Sequence, residues 1–356
     1  MRSTPFRAAI IGVLLLVACG TDDAATGPSP SVEDAGTSGD ASPVGRRDGG
    51  PESDGSVADA ATDSGGGAPD PDLAGPYAIA EKDGTTKVAG TGDTVAIHAA
   101  YPTAAGSYPV IVIGHGFQLA ASQYYGYAKR LASFGYVALT VDYPAPFSGN
   151  DNPKQAADMV AGIDWAKADS TFGASVDATK AGMTGHSLGG KVALLAATLD
   201  PRVKAAFVLD PVDGGGPTGC MAPKCVGVAA LMPSLKIPTG ILGETTDATG
   251  GFQACAPAAS NFATFYAGAT TPSLQITATG ANHMSFLDDL ASCGFTCSLC
   301  NAATAKNADV TAMARAFMVA FYERHLRGNT AYDAYLTGAL AQSRYVATSR
   351  ASITSK

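Results

Sequence analysis

From residue 94 onward, short apolar runs alternate with longer helical patterns. Thr94 to Ala99 alternates polar and apolar positions, the period-two mark of a half-buried strand. Pro109 to Gly114, "PVIVIG", and Tyr136 to Val141, "YVALTV", are continuous apolar runs, as strands covered on both faces require. "AGMTG" at 181–185 is a shorter strand, and "AAFVLD", "TGILGE" and "SLQITATG" supply three more. Residues 123–134, 154–168, 188–199 and 309–327 read as the intervening helices, the first ended by Gly135. Strand–helix alternation of this kind predicts an α/β fold, a mostly parallel, doubly wound sheet with helices on both faces. No internal repeat is visible.

The first 75 residues follow another pattern. Arg2 and Arg7 precede an apolar run, Ala8 to Val17, that is too short to span a bilayer. Residues 1–19 therefore read as an export signal. It ends Leu16-Val17-Ala18-Cys19, which resembles the bacterial lipoprotein lipobox. That resemblance implies a diacylated Cys19 at the mature N-terminus, and so an exported chain anchored to the cell envelope, or extracellular. Residues 20–75 are Asp, Ala, Gly, Ser, Thr and Pro, with too little apolar surface to offset ordering entropy, and read as a disordered tether. Residues 76–356 are the folded catalytic domain.

Charge divides along the same boundary. Residues 21–75 carry 12 acidic and 2 basic side chains, a net of −10, whereas residues 76–356 carry 19 of each. The formal net charge of −8 thus belongs to the tether, offset in part by Arg2 and Arg7. A neutral domain without a basic run excludes nucleic acid as an expected partner. The only membrane contact expected is the lipid anchor.

Six cysteines fall in the folded part: Cys220, Cys225, Cys255, Cys293, Cys297 and Cys300. In an exported chain an even number points to disulfides, whose pairing the spacing does not fix. "CGFTCSLC" lacks the paired CxxC spacing of a zinc site and has no histidine beside it, so no metal is expected.

Chemistry concentrates at "AGMTGHSLGGKV", residues 181–192. Ser187 lies between a strand and a helix, flanked by Gly185 and Gly189, the glycines a tight nucleophile elbow needs where two backbones approach. The N-terminus of the helix that follows would face a developing oxyanion. A serine nucleophile needs a general base, and elimination finds it. His98 is on an early strand, His115 follows "PVIVIG", His186 belongs to the elbow, and His325 in "ERHLRG" reads as a solvated surface group. His283, in "TGANHMSFLDD", directly follows the last strand of the alternating pattern, at the carboxyl end of the sheet. The acid stays open between Asp210, at the end of "AAFVLD", and Asp247 or Glu244 in "LGETTDATGG"; Asp213 reads as a turn residue. In "GHGFQ", 114–118, the backbone N–H of Phe117 is the expected oxyanion donor, paired with that of Leu188. His115 would shape that loop.

"YPVIVIGHGF", "GHSLGGKVAL", "VLDPVDG", "CAPAASNF" and "NHMSFLDD" occur in that order, and together they resemble the chlorophyllase group of α/β-hydrolases over most of residues 95–327. Platelet-activating-factor acetylhydrolases and cutinase-like polyester hydrolases are similar at greater distance. The resemblance implies an α/β-hydrolase fold and a serine carboxylic-ester hydrolase that needs no cofactor. It selects Asp210 as the acid, with Asp247 the alternative along the polyester-hydrolase line. Leu188 departs from the arginine common after the serine in plant chlorophyllases, so the resemblance implies hydrolysis of a small-molecule or lipid-like ester rather than of chlorophyll. Two other expectations compete: a hydrolase of polyester or lipid surfaces, and a non-catalytic surface binding protein on a hydrolase scaffold. Segment 211–237 carries apolar residues between two strands and is expected to roof the acyl pocket.

Overall fold

The computed structural model describes residues 68–214, 221–250 and 254–356. The expected signal, the lipobox with Cys19, the tether up to residue 67, and Cys220 lie outside the described residues. Among the described residues no helix is long and apolar enough to cross a membrane.

Among the described residues, nine strands form one sheet: β1 (Ile79–Lys87), β2 (Thr94–Pro102), β3 (Tyr108–Gly114), β4 (Val137–Asp142), β5 (Val176–His186), β6 (Val203–Leu209), β7 (Thr239–Glu244), β8 (Ser273–Ala278) and β9 (Ala351–Ser355). Their spatial order is β1-β2-β4-β3-β5-β6-β7-β8-β9. The interior from β4 to β8 is parallel. Antiparallel strands close both ends, β1 and β2 on one side and β9 on the other. This is the α/β-hydrolase arrangement.

Among the described residues the longer helices are α1 (Tyr125–Ser133), α2 (Asn152–Ala168), α3 (Leu188–Leu199), α4 (Phe262–Gly268) and α5 (Asn307–Leu326), followed by two single-turn helices, Asp333–Leu336 and Ala339–Ala341. Side-chain alternation along β3 shows how they divide. Ile111 and Ile113 enter a core shared with residues of α1 and α5. Val110 and Val112 enter a second core with residues of α2, α3 and α4. A strand buried on both faces needs apolar residues at every position, which is why "YPVIVIG" is continuous rather than alternating. Each fully buried aliphatic side chain contributes about 1.5–3 kcal/mol.

Among the longer elements, β1, β9 and α4 were not expected from the sequence, nor were the short helices after residue 327. In β1 the alternation is broken chemically by Lys82, Asp83 and Gly84, because an edge strand keeps much of its surface in water. Strand β9, "ASITS", is short and mostly exposed. Before β1, residues 69–77 already pack on the domain. Asp70 and Asp72 take the Arg344 guanidinium, the Asp70 contact at 2.7 Å, and Asp72 also accepts from the Tyr345 hydroxyl at 2.8 Å. The Pro69 carbonyl accepts from Tyr332, and that of Pro71 from Arg130.

Candidate active site

Parallel strands deliver their carboxyl ends to one edge, where α/β folds carry out chemistry. Ser187 follows β5, Asp210 follows β6, His283 follows β8, and Phe117 lies in the loop after β3. The β5–α3 turn is tight. A Cβ on Gly189 would fall on the Gly114 carbonyl, and one on Gly185 on the Gly189 carbonyl. Glycine is therefore obligatory on both sides of Ser187. Ser187 itself sits at φ 58°, a region non-glycine residues avoid. The turn is held from several directions: Ser187 N–H donates to the Leu209 carbonyl (3.0 Å), and its own carbonyl accepts from Lys191 N–H (3.1 Å). Asp210 is also at positive φ, 39°, and its N–H donates to the Leu242 carbonyl (2.6 Å).

The side chains of these residues meet. His283 Nε2 is 2.8 Å from Ser187 Oγ, and His283 Nδ1 is 2.6 Å from Asp210 Oδ2. All three are buried. Burial pulls the imidazole pKa down, but the hydrogen bond and charge of Asp210, helped by Asp247 and Glu244, outweigh it, and the net direction is upward. Burial lifts the Asp210 carboxyl, opposed by His283.

Asp247 occupies a different place. Its Oδ2 accepts the backbone N–H of His283 (2.7 Å) and its Oδ1 that of Asn301 (2.8 Å), so it positions the histidine loop without touching the ring. Glu244 accepts the N–H groups of Thr246 and Asp247, and burial together with the Asp210 charge pushes its carboxyl up to about 7. Asp213 is more than a turn residue. Its carboxylate accepts from Val228 N–H and Ala229 N–H, both at 2.9 Å, and pairs with the buried Lys191 ammonium at 3.2 Å. His325 is corrected as well. It is half-buried against Phe321, and burial drives its pKa down to about 4.

Ser187, Phe117, Leu188 and His283 line a cleft of about 210 Å³ with Val212, Met284 and Leu299. Leu188 opens α3, so its N–H has no intrahelical acceptor. Among the described residues, neither that N–H nor the one of Phe117 donates to a backbone acceptor. From segment 211–237, Val212 and Gly214 reach this cleft.

Sequence reasoning did not single out the role of His186. Its Nδ1 accepts from the Tyr124 hydroxyl and its Nε2–H donates to the His283 carbonyl, both at 2.8 Å. Burial and the neighbouring His283 hold it well below the ordinary histidine value, so it stays neutral. Tyr124 also accepts Gly116 N–H, linking the two loops that flank the serine. Nothing short of the fold brings residues 116, 124, 186 and 283 together.

The sulfurs of Cys255 and Cys300 form one disulfide and those of Cys293 and Cys297 another; Cys225 is also disulfide-bonded. These sulfurs are therefore not thiol ligands, although Asp247 lies close to the Cys255–Cys300 pair.

Fold and site together define an α/β-hydrolase with a serine, a histidine and an aspartate in hydrogen-bonded sequence. The chlorophyllase family profile matches residues 74–343, and the chain belongs to that family. Among its relatives is a bis(hydroxyethyl) terephthalate hydrolase of Streptomyces coelicolor, 28% identical over 60% of this chain and 62% of that enzyme. Chlorophyllase-1 of Arabidopsis thaliana is 27% identical over 65% of this chain and 76% of that protein. A cutinase of Thermobifida fusca is 27% identical over 31% of this chain and 37% of that protein. The match thus spans about six-tenths of the terephthalate hydrolase.

Proposed function

We propose that the chain hydrolyses carboxylic esters through an acyl-enzyme on Ser187. The observation that carries this reading is the unbroken contact from Asp210 through His283 to Ser187, at 2.6 and 2.8 Å. His283 takes the serine proton as Oγ attacks the ester carbonyl, then gives it to the departing alcohol. Asp210 fixes the imidazole with Nδ1 protonated and stabilises the imidazolium. The N–H groups of Phe117 and Leu188 receive the oxyanion. Water, activated by the same histidine, releases the acid. All of this uses side chains and backbone alone.

The family's named hydrolases support an ester substrate. A second reading, action on insoluble or polymeric esters, is favoured by Phe147 and Met221, which stand 65% and 74% exposed. Phe147 packs edge-on against Phe117 at the cleft. Export with lipidation at Cys19 belongs to the same proposal; mass spectrometry of the mature N-terminus checks it.

The test is hydrolysis of p-nitrophenyl esters from acetyl to palmitoyl by the parent and by Ser187→Ala. Turnover by the parent alone supports the reading, and the chain-length profile sizes the cleft. A folded parent inert on every ester, or an equally active mutant, overturns it in favour of a binding protein.

A further inference from the structure

A second cavity of about 350 Å³ adjoins the catalytic cleft, and Asn150 lines both. The two differ in chemistry. Apart from its reactive groups, the catalytic cleft is largely apolar, whereas the second cavity presents Asp93, Ser148, Asp151, Lys154, Gln155 and Lys224.

Asn150 ends a chain of three buried side-chain amides whose direction the backbone fixes. Val226 N–H donates to Asn152 Oδ1 (3.1 Å). Asn152 Nδ2 donates to Gln155 Oε1 (3.1 Å). Gln155 Nε2 donates to the Pro144 carbonyl (2.9 Å) and to Asn150 Oδ1 (3.1 Å). A backbone N–H can only donate and a backbone carbonyl can only accept, so none of the three amides can be turned over without losing a bond. Asn150, Asn152 and Gln155 are 6%, 0% and 2% exposed, which makes such a loss costly.

One group is left over. Asn150 Nδ2 has no acceptor among the described residues, yet it is not sealed inside the protein, and its residue borders both cavities. A buried relay oriented so that it ends in an NH₂ group at the junction of two cavities is a recognition element for an acceptor oxygen.

Resting on the ester-hydrolase reading, we propose that Asn150 is a specificity-determining residue. Its Nδ2 binds an acceptor oxygen on a polar arm of the substrate that enters the second cavity, while an apolar arm stays beside Ser187. The substrate class is then an ester with one hydrocarbon arm and one arm bearing an ether, carbonyl or hydroxyl oxygen a few atoms from the scissile bond. Asn152 and Gln155 are positioning residues that set the amide's orientation.

Two isosteric pairs test this with the full chain. One places oxygen in the acyl arm: p-nitrophenyl 4-methoxybutanoate against p-nitrophenyl hexanoate. The other places it in the alcohol arm: 2-methoxyethyl butanoate against butyl butanoate, followed by acid release. In one pair, the parent favours the oxygen-bearing ester by about tenfold in kcat/KM, the factor a single well-placed hydrogen bond supplies. Asn150→Ala collapses that ratio to near one. Asn150→Asp inverts it, because a carboxylate still accepts from Gln155 but cannot donate to an ether. Both members of a pair are measured with the same enzyme preparation, so partial misfolding cancels from the ratio. A parent that turns over both esters of each pair equally, or an Asn150→Ala ratio unchanged from the parent's, overturns the assignment and leaves the ester reading standing. A parent inert on p-nitrophenyl hexanoate and the other three esters overturns both.

Discussion

At the scale of single residues, the separate stations of Asp210 and Asp247 predict different losses. Asp210 holds the ring and Asp247 holds the backbone behind it. Asp210→Asn supplies the wrong hydrogen-bonding partner to Nδ1 and is expected to lower kcat about 10⁴-fold. Asp247→Asn keeps one acceptor oxygen and is expected to cost far less; equal losses would contradict the assignment. The pH profile follows from the same contacts. As the proposed general base, His283 would act only when neutral, and its pKa is raised above the ordinary 6.5, so kcat/KM should rise with pH through a midpoint above 6.5. A midpoint below 6 would count against the Asp210 contact. That Ser187 and His283 would meet was legible in the sequence because an elbow needs glycines at fixed spacing and the chain holds only five histidines. The choice between Asp210 and Asp247 was not legible from residues alone, since both loops leave the same sheet edge. Asn150 and Tyr124 carry no motif at all. Their roles come from contacts between segments that only the fold brings together.

Among elements, the one that connects most to the site is α3. It carries Ser187 at its N-terminus and, one turn on, a lysine with no exposed side-chain surface. Lys191 donates to the Gly214 carbonyl and pairs with Asp213, which in turn holds Val228 and Ala229. Helix α3 thus fixes the segment that supplies Val212 and Gly214 to the cleft. Lys191→Met leaves the partly buried Asp213 carboxylate without its cation, held only by two backbone N–H groups, and should destabilise by about 1–3 kcal/mol, read as a lower denaturant midpoint. A loss under 1 kcal/mol would mean the pair is solvated. Strands β2 to β8 and helices α1, α2, α3 and α5 were readable because each buries a long apolar stretch. Strands β1 and β9 were not, because edge strands mix polar residues into the pattern. Helix α4 was missed because seven residues, "FATFYAG", are too few to show a period.

For the whole molecule, stability should depend on pH and on redox state in separable ways. Glu244 has its pKa raised to about 7 from 4.5. Between those values the folded chain holds a proton that the unfolded chain releases, so stability from this group falls as pH rises through the window. Glu244→Gln should flatten that slope in urea titrations between pH 4.5 and 7; an unchanged slope would remove Glu244 as its cause. The Cys255–Cys300 disulfide closes a separation of 45 residues, against 4 for Cys293–Cys297. By loop entropy the first contributes about 4 kcal/mol and the second about 2 kcal/mol. Replacing the first pair with serines should therefore cost roughly twice as much as replacing the second, and equal costs would argue that strain rather than entropy dominates. That Cys225, Cys255, Cys293, Cys297 and Cys300 would be disulfide-bonded was legible from the even number of cysteines in the folded part. Which would pair was not, since pairing is set by where β7, β8 and their loops converge.

Trapping the acyl group on Ser187 is the decisive experiment. The parent enzyme is mixed with p-nitrophenyl butanoate, quenched in acid within the first turnovers, and digested for peptide mass spectrometry. With Ser187 as the nucleophile, a burst approaching one equivalent of p-nitrophenolate and a butanoyl group on Ser187 are expected, both absent from Ser187→Ala. Steady turnover with no acyl group on Ser187, or an acyl group on another residue, would contradict that role.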